Sequence, residues 1–68
     1  MSQEVRNRIA KKVQELRKSK KVKREELSLL LGFDNSYISK LEKGKINITI
    51  NKLVKIAEYF DVDVKELL

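Results

Sequence analysis

Side chains capable of acid–base or metal chemistry are few in this 68-residue sequence. Histidine and cysteine are absent, which excludes an imidazole base, a disulfide and a zinc site of the common His/Cys type. The close carboxylate pairs are Glu25–Glu26 and Asp61 with Asp63, and each is also explained by the preference of anions for helix N-termini. No glycine-rich phosphate loop occurs. We therefore expect a protein that is not an enzyme and that holds no metal or cofactor.

Basic side chains are the most abundant functional groups, and they cluster. The chain has 16 Lys and Arg residues against 10 Asp and Glu residues, a net charge of +6. Residues 1–24 hold ten of the basic groups and two of the acidic ones. This pattern favours a polyanionic partner, with nucleic acid ahead of an anionic membrane surface. Neither an apolar run of membrane-spanning length nor a signal-peptide pattern occurs, so we expect a cytoplasmic protein.

Two helices are predicted in the first half of the chain. A stripe at i, i+4, i+8 and i+11 indicates a first helix and comprises Val5, Ile9, Val13 and Leu16. A polar connection over residues 18–21 follows. Glu25 and Glu26 then favour a helix N-terminus, and Gly32 is suited to the left-handed conformation that ends a helix. The second helix therefore has about eight residues.

Three further helices are predicted after Gly32. Asp34 is a favourable N-cap for a third helix over residues 34–43, which Gly44 ends. Thr49 can cap a fourth helix with a broad apolar stripe made of Ile50, Leu53, Val54, Ile56, Ala57 and Phe60. Asp63 and Glu66 have the spacing of a capping box for a short last helix. The expected fold is all-α, a compact arrangement of five helices.

The segment from Val22 to Gly44 is the most informative part of the sequence. A short helix ends at Gly32 and reaches the next helix through only two or three residues. This spacing is typical of a helix-turn-helix, in which the later helix can enter a DNA major groove.

Several segments in this order resemble the phage-repressor-like (Xre/Cro-type) helix-turn-helix family. They are Leu27, the pair Leu31-Gly32, residues 36–44 (SYISKLEKG) and residues 53–57 (LVKIA). The resemblance extends from about Ile9 to Leu68. It implies a lambda-repressor-like fold with the helix-turn-helix at helices 2 and 3, and a single DNA-binding domain over residues 1–68.

The resemblance also implies roles for individual residues, since the helix over residues 34–43 corresponds to the family's recognition helix. The candidates for contacts to bases are Asn35, Ser36, Ser39 and Lys40. Asparagine pairs bidentately with adenine and lysine donates to guanine, so these residue types suit the task. The candidates for contacts to the DNA backbone are Lys23, Arg24, Tyr37, Lys43, Lys45 and Asn47.

Other positions either match or depart from the family pattern. Arg17 and Glu42 stand where relatives form an ion pair between the first and third helices. Lys23 replaces the usual Ser or Thr cap, which predicts fraying at the start of the second helix, and Arg24 replaces a common Gln. The loop around Ile48 resembles that of controller proteins of restriction–modification operons.

Three features have two interpretations each. The N-terminal basic run is either a solvated helix face or an auxiliary contact to phosphate. Tyr37 either packs against the core or gives its hydroxyl to a phosphate. The apolar C-terminal segment either closes the core over the fourth helix or forms a two-fold dimer interface through Val64, Leu67 and Leu68.

The expected function is sequence-specific transcriptional regulation through double-stranded DNA. The chain would bind an inverted-repeat operator as a homodimer, with the helix over residues 34–43 in the major groove. The alternative is an antitoxin-type or other protein-interaction module that also binds its own promoter. We expect neither a membrane nor a small-molecule partner.

Overall fold

The computed structural model describes all 68 residues as four α-helices and one 3-10 turn, without strands. The helices are α1 (Gln3–Ser19), α2 (Arg24–Leu30), α3 (Tyr37–Glu42) and α4 (Ile50–Phe60), and the 3-10 helix is Val64–Leu67. The all-α prediction is confirmed, but the predicted fifth helix is this single turn. No helix is both long enough and apolar enough to cross a membrane.

The core is formed by the facing stripes of all four helices together with the chain end. Ile9 and Val13 of α1 are fully buried, whereas Val5 and Leu16 lie half-buried at the edge of the stripe. The other buried core members are Leu27, Leu31, Ile38, Leu41, Ile48, Leu53, Ile56, Ala57, Phe60 and Leu67. The prediction for Ile50 was wrong: this side chain is 66% exposed because the first residue of α4 lies at the edge of its stripe.

Side chains at the helix termini explain most of the observed boundaries. Thr49 Oγ1 accepts from the backbone N–H of Lys52 at 3.3 Å, as predicted for the start of α4. Glu66 accepts from the backbone N–H of Asp63 at 3.0 Å and so caps the 3-10 helix. Fraying at the start of α2 stays a prediction: the Lys23 side chain makes no capping bond, although the carboxylate of Glu26 accepts from the backbone N–H of Lys23 at 3.4 Å.

The helix over residues 34–43 was predicted too long, since α3 begins at Tyr37. The carboxylate of Asp34 accepts from the backbone N–H of Ser36 at 3.2 Å and from its hydroxyl at 2.6 Å. Asp34 therefore closes a local turn instead of capping the helix. As a result Asn35 and Ser36 lie in the turn that leads into α3.

The glycines after α2 and α3 both have left-handed backbones, with φ of +75° at Gly32 and +73° at Gly44. Alanine at either position should cost about 1–2 kcal/mol of backbone strain. Gly44→Ala should cost more than Gly32→Ala, because its Cβ would lie 2.5 Å from Asn7 Oδ1, whereas at Gly32 the nearest atom is Lys55 Nζ at 3.8 Å. Urea unfolding of the two variants measures the difference, and equal midpoints would contradict it.

Candidate nucleic-acid interface

A buried serine joins the two helices of the helix-turn-helix. Ser28 of α2 is completely buried; its hydroxyl donates to the carbonyl of Arg24 at 3.0 Å and accepts from the backbone N–H of Ile38 at 3.1 Å. Ser36, the N-cap residue of α3, makes no side-chain capping bond. α3 is therefore capped from α2, which holds its first turn in place. The role of Ser28 was not predicted from the sequence, although a serine beside Leu27 on an apolar helix face is a visible signal.

A shallow groove runs between the N-terminus of α2 and the exposed face of α3, and we call it the α2–α3 groove. It is lined by Arg24, Glu25, Asn35, Ser36, Ser39 and Lys43, with no apolar side chain. All of these except Glu25 are predicted DNA contacts, so the fold brings five of the ten together. Lys40 is exposed on the same helix but does not line the groove.

Asp34 determines what Ser36 can offer to a ligand. The hydrogen bonds from the Ser36 hydroxyl and backbone N–H lower the pKa of the Asp34 carboxyl below its ordinary value, so it is ionised at neutral pH. Because the Ser36 hydroxyl donates its proton to Asp34, its oxygen is left as an acceptor. An acceptor suits the amino groups that adenine and cytosine present in the major groove.

Tyr37 does not line the groove and packs against aromatic and basic neighbours. Its ring centroid is 4.8 Å from that of Phe33, and Lys52 Nζ lies 4.6 Å from the Tyr37 centroid. Burial raises the pKa of the Tyr37 hydroxyl, which therefore keeps its proton at neutral pH. The ring of Tyr37 thus packs against the core, which was one of the two interpretations of this residue. A contact between its hydroxyl and a DNA phosphate stays a prediction.

The remaining candidates for backbone contacts lie at the two ends of the helix-turn-helix. Lys23 precedes α2 and is exposed, as are Lys43 and Lys45 on either side of Gly44. Asn47 is also exposed, and its side-chain oxygen accepts from the guanidinium of Arg6 at 2.7 Å. The contact to Arg6 was not anticipated from the sequence.

Arg17 and Glu42 form a buried, bidentate ion pair between α1 and α3. Arg17 Nε lies 2.6 Å from Glu42 Oε2, and Arg17 Nη2 lies 3.1 Å from Oε1. The two side chains are 9% and 2% exposed, and Arg17 Nη1 also donates to the carbonyl of Val22 at 2.9 Å. The pair ties the C-terminal end of α3 to α1.

The three residues predicted to form a dimer interface have different environments. Leu67 is only 1% exposed and belongs to the core, so its side chain is not available to a second copy. The reason is that the 3-10 helix folds back onto α1 and α4. Val64 is half-buried and Leu68 is 47% exposed. Exposed leucines also occur on α2, at Leu29 and Leu30.

Comparisons with known proteins agree with this geometry. A family model described as Helix-turn-helix matches residues 13–67. The restriction-modification controller protein C.AhdI from Aeromonas hydrophila is 30% identical with a TM-score of 0.84, over 93% of this chain and 96% of that one. The hypothetical transcription factor NHTF from Neisseria is 28% identical with a TM-score of 0.89, over 100% of this chain and 79% of that one. No curated protein matches.

Proposed function

The chain belongs to the Xre/Cro-like helix-turn-helix family of DNA-binding transcription regulators, and we propose that it recognises an inverted-repeat operator as a homodimer. α3 and the turn before it enter the major groove of each half-site. The α2–α3 groove carries this proposal, because it presents only polar and charged side chains beside a helix that α1 and α2 hold at both ends. Similarity to a restriction-modification controller protein supports a regulatory role.

Base and backbone contacts have separate tasks in this proposal. Asn35, Ser36, Ser39 and Lys40 supply the donors and acceptors for base edges. Lys23, Arg24, Tyr37, Lys43, Lys45 and Asn47 supply contacts to phosphates, which give affinity without sequence preference. The excess of basic residues is consistent with affinity that falls steeply as salt rises.

The dimer requires a surface that the monomer leaves exposed. Leu68 and the exposed part of Val64 are the available members of the predicted interface, since Leu67 is buried. An inverted-repeat operator requires the two copies of α3 to lie about 34 Å apart, one turn of the DNA helix. Sedimentation at high protein concentration tests the interface, and Leu68→Ser is the variant that should weaken it.

Selection of binding sites from random duplex DNA tests the function as a whole. The expected result is an enriched inverted repeat whose half-sites are centred about ten base pairs apart. Salt-sensitive binding without any enriched sequence would contradict sequence-specific regulation. A single enriched half-site bound by one copy would contradict the homodimer and leave the DNA contacts intact.

Lys40→Ala and Arg24→Ala should have different effects on the selected operator. Lys40→Ala should relax the preference at one base position, with a loss of about 1–3 kcal/mol against the preferred base. Arg24→Ala should weaken all sequences alike and lower the salt slope by about one. Titration of single-base operator variants at several salt concentrations separates the two effects. An unchanged site preference in Lys40→Ala would remove Lys40 from the base-reading set.

A further inference from the structure

The first two turns of α1 make direct contact with the loop between α3 and α4. Gln3 Nε2 donates to the carbonyl of Gly44 at 3.0 Å and to Asn7 Oδ1 at 2.8 Å. Arg6 Nη1 donates to Asn47 Oδ1 at 2.7 Å. The bonds to Gly44 and to Asn47 each join residues that are 41 positions apart in the chain. They connect the N-terminus of α1 to the segment that carries Lys43, Lys45 and Asn47.

Arg6 is held in place by further bonds within its own helix and the chain before it. Its Nη1 also donates to the carbonyl of Met1 at 2.7 Å, and its Nη2 donates to Gln3 Oε1 at 2.7 Å. The planar guanidinium therefore has three acceptors in fixed directions, which a lysine ammonium on a flexible stem does not reproduce. Arg6 and Gln3 form one connected network.

The loop itself has little backbone structure to hold Asn47. The N–H of Lys45 donates to the carbonyl of Lys40 at 3.3 Å, and no backbone hydrogen bond involves residues 46–48. The side chain of Ile48 is buried in the hydrophobic core and anchors the loop there. Outside that apolar anchor, Arg6 is the polar group that holds Asn47.

The contact to Arg6 also determines which end of the Asn47 amide is free. An arginine side chain has only donors, so the atom of Asn47 that it contacts is the oxygen. The NH2 group is then left without a partner within the protein, and its two N–H donors are available. A phosphate oxygen needs such donors, and half or more of protein–DNA hydrogen bonds go to the phosphates and sugars.

We propose that Arg6 is a positioning residue for DNA binding, which orients the Asn47 amide so that its NH2 group donates to a phosphate. The role rests on the proposed function, and it makes the N-terminal end of α1 part of the interface without a base contact of its own. Gln3 supports the same loop through Gly44 and holds Arg6.

A double-mutant cycle on the selected operator tests this role. Arg6→Ala and Asn47→Ala should each weaken binding about 3- to 10-fold without changing the preferred sequence, as expected for a single hydrogen bond. The double variant should be no weaker than Arg6→Ala alone, because Asn47 acts only when Arg6 orients it. The matched control is Arg6→Lys, which keeps the charge but not the fixed fork of donors, so it should weaken binding as Arg6→Ala does.

A second readout does not depend on DNA. The side-chain amide signals of Asn47 in a ¹⁵N spectrum should shift in Arg6→Ala and Arg6→Lys, and stay in place in Arg8→Ala. Additive losses in the cycle, wild-type affinity in Arg6→Lys, or unmoved Asn47 signals would overturn the role while the proposed function stands. A wild-type protein that selects no operator would overturn the proposed function and this role together.

Discussion

Replacing Glu42 by alanine should lower the free energy of unfolding by about 3–5 kcal/mol, because it leaves the Arg17 guanidinium buried without its counter-ion. Arg17 is 9% exposed, and its bond to the carbonyl of Val22 does not neutralise its charge. Domains of this size have a total stability of about 3–10 kcal/mol, so the loss is a large fraction of the whole. Thermal and urea unfolding at neutral pH measure it directly.

A double replacement separates the cost of an unpaired charge from the contribution of the pair. Arg17→Met combined with Glu42→Leu removes both charges and keeps apolar volume, and buried pairs replaced in this way are often as stable or more stable. The double variant should therefore unfold at a higher urea concentration than Glu42→Ala. An unchanged unfolding midpoint in Glu42→Ala would show that Arg17 is solvated in the native protein.

Local rules account for the parts of the fold that were predicted correctly. Gly32 and Gly44 end helices because their positive φ is accessible to glycine, and Thr49 starts α4 because its hydroxyl satisfies a free N–H. The 3.6-residue period placed Ile9 and Val13 in the core. Each of these signals depends only on residues a few positions apart, so it can be recognised without knowing the tertiary structure.

The features that were predicted wrongly are those for which a side chain has more than one possible partner, and local sequence rules do not decide between them. Asp34 is a residue type that favours an N-cap position, but its carboxylate accepts from the Ser36 backbone and hydroxyl. It therefore does not cap α3, which starts later than predicted. Leu67 suits a dimer interface and a core equally well, and only the return of the 3-10 helix onto α1 decides between them. Ile50 continues the α4 stripe in sequence but lies beyond the region that the other helices cover.

The structure brings part of the predicted set of DNA contacts together, whereas some of the residues that support this surface were not predicted. Asn35, Ser36 and Ser39 were assigned from a family resemblance, and the fold brings them to one groove. Ser28 and Arg6 were missed because each acts across elements, Ser28 ten positions from Ile38 and Arg6 41 positions from Asn47. Ser28 stands out as a serine on an apolar helix face, but partners this far away in the chain cannot be identified from local spacing.

Replacing Ser28 by valine should destabilise the protein through two effects at one position. The backbone N–H of Ile38 loses its acceptor in a fully buried place, which costs about 1–3 kcal/mol. The branched side chain adds volume where Ser28 is 0% exposed, which costs about another 1–3 kcal/mol. Ser28→Ala should show the first effect alone, and urea unfolding of both variants at one temperature measures the difference.

Ser28→Ala should also change DNA recognition, since Ser28 caps the helix that carries Ser39 and Lys40. A loosened first turn of α3 allows its side chains to approach more than one base, so Ser28→Ala should reduce discrimination between operator and unrelated DNA more than it reduces affinity for unrelated DNA. Thr49→Ala is a suitable control, because it removes a hydroxyl cap from α4 and should cost about 1 kcal/mol of stability. If Ser28→Ala and Thr49→Ala lost stability but kept equal discrimination, the serine would hold the fold without orienting the recognition surface.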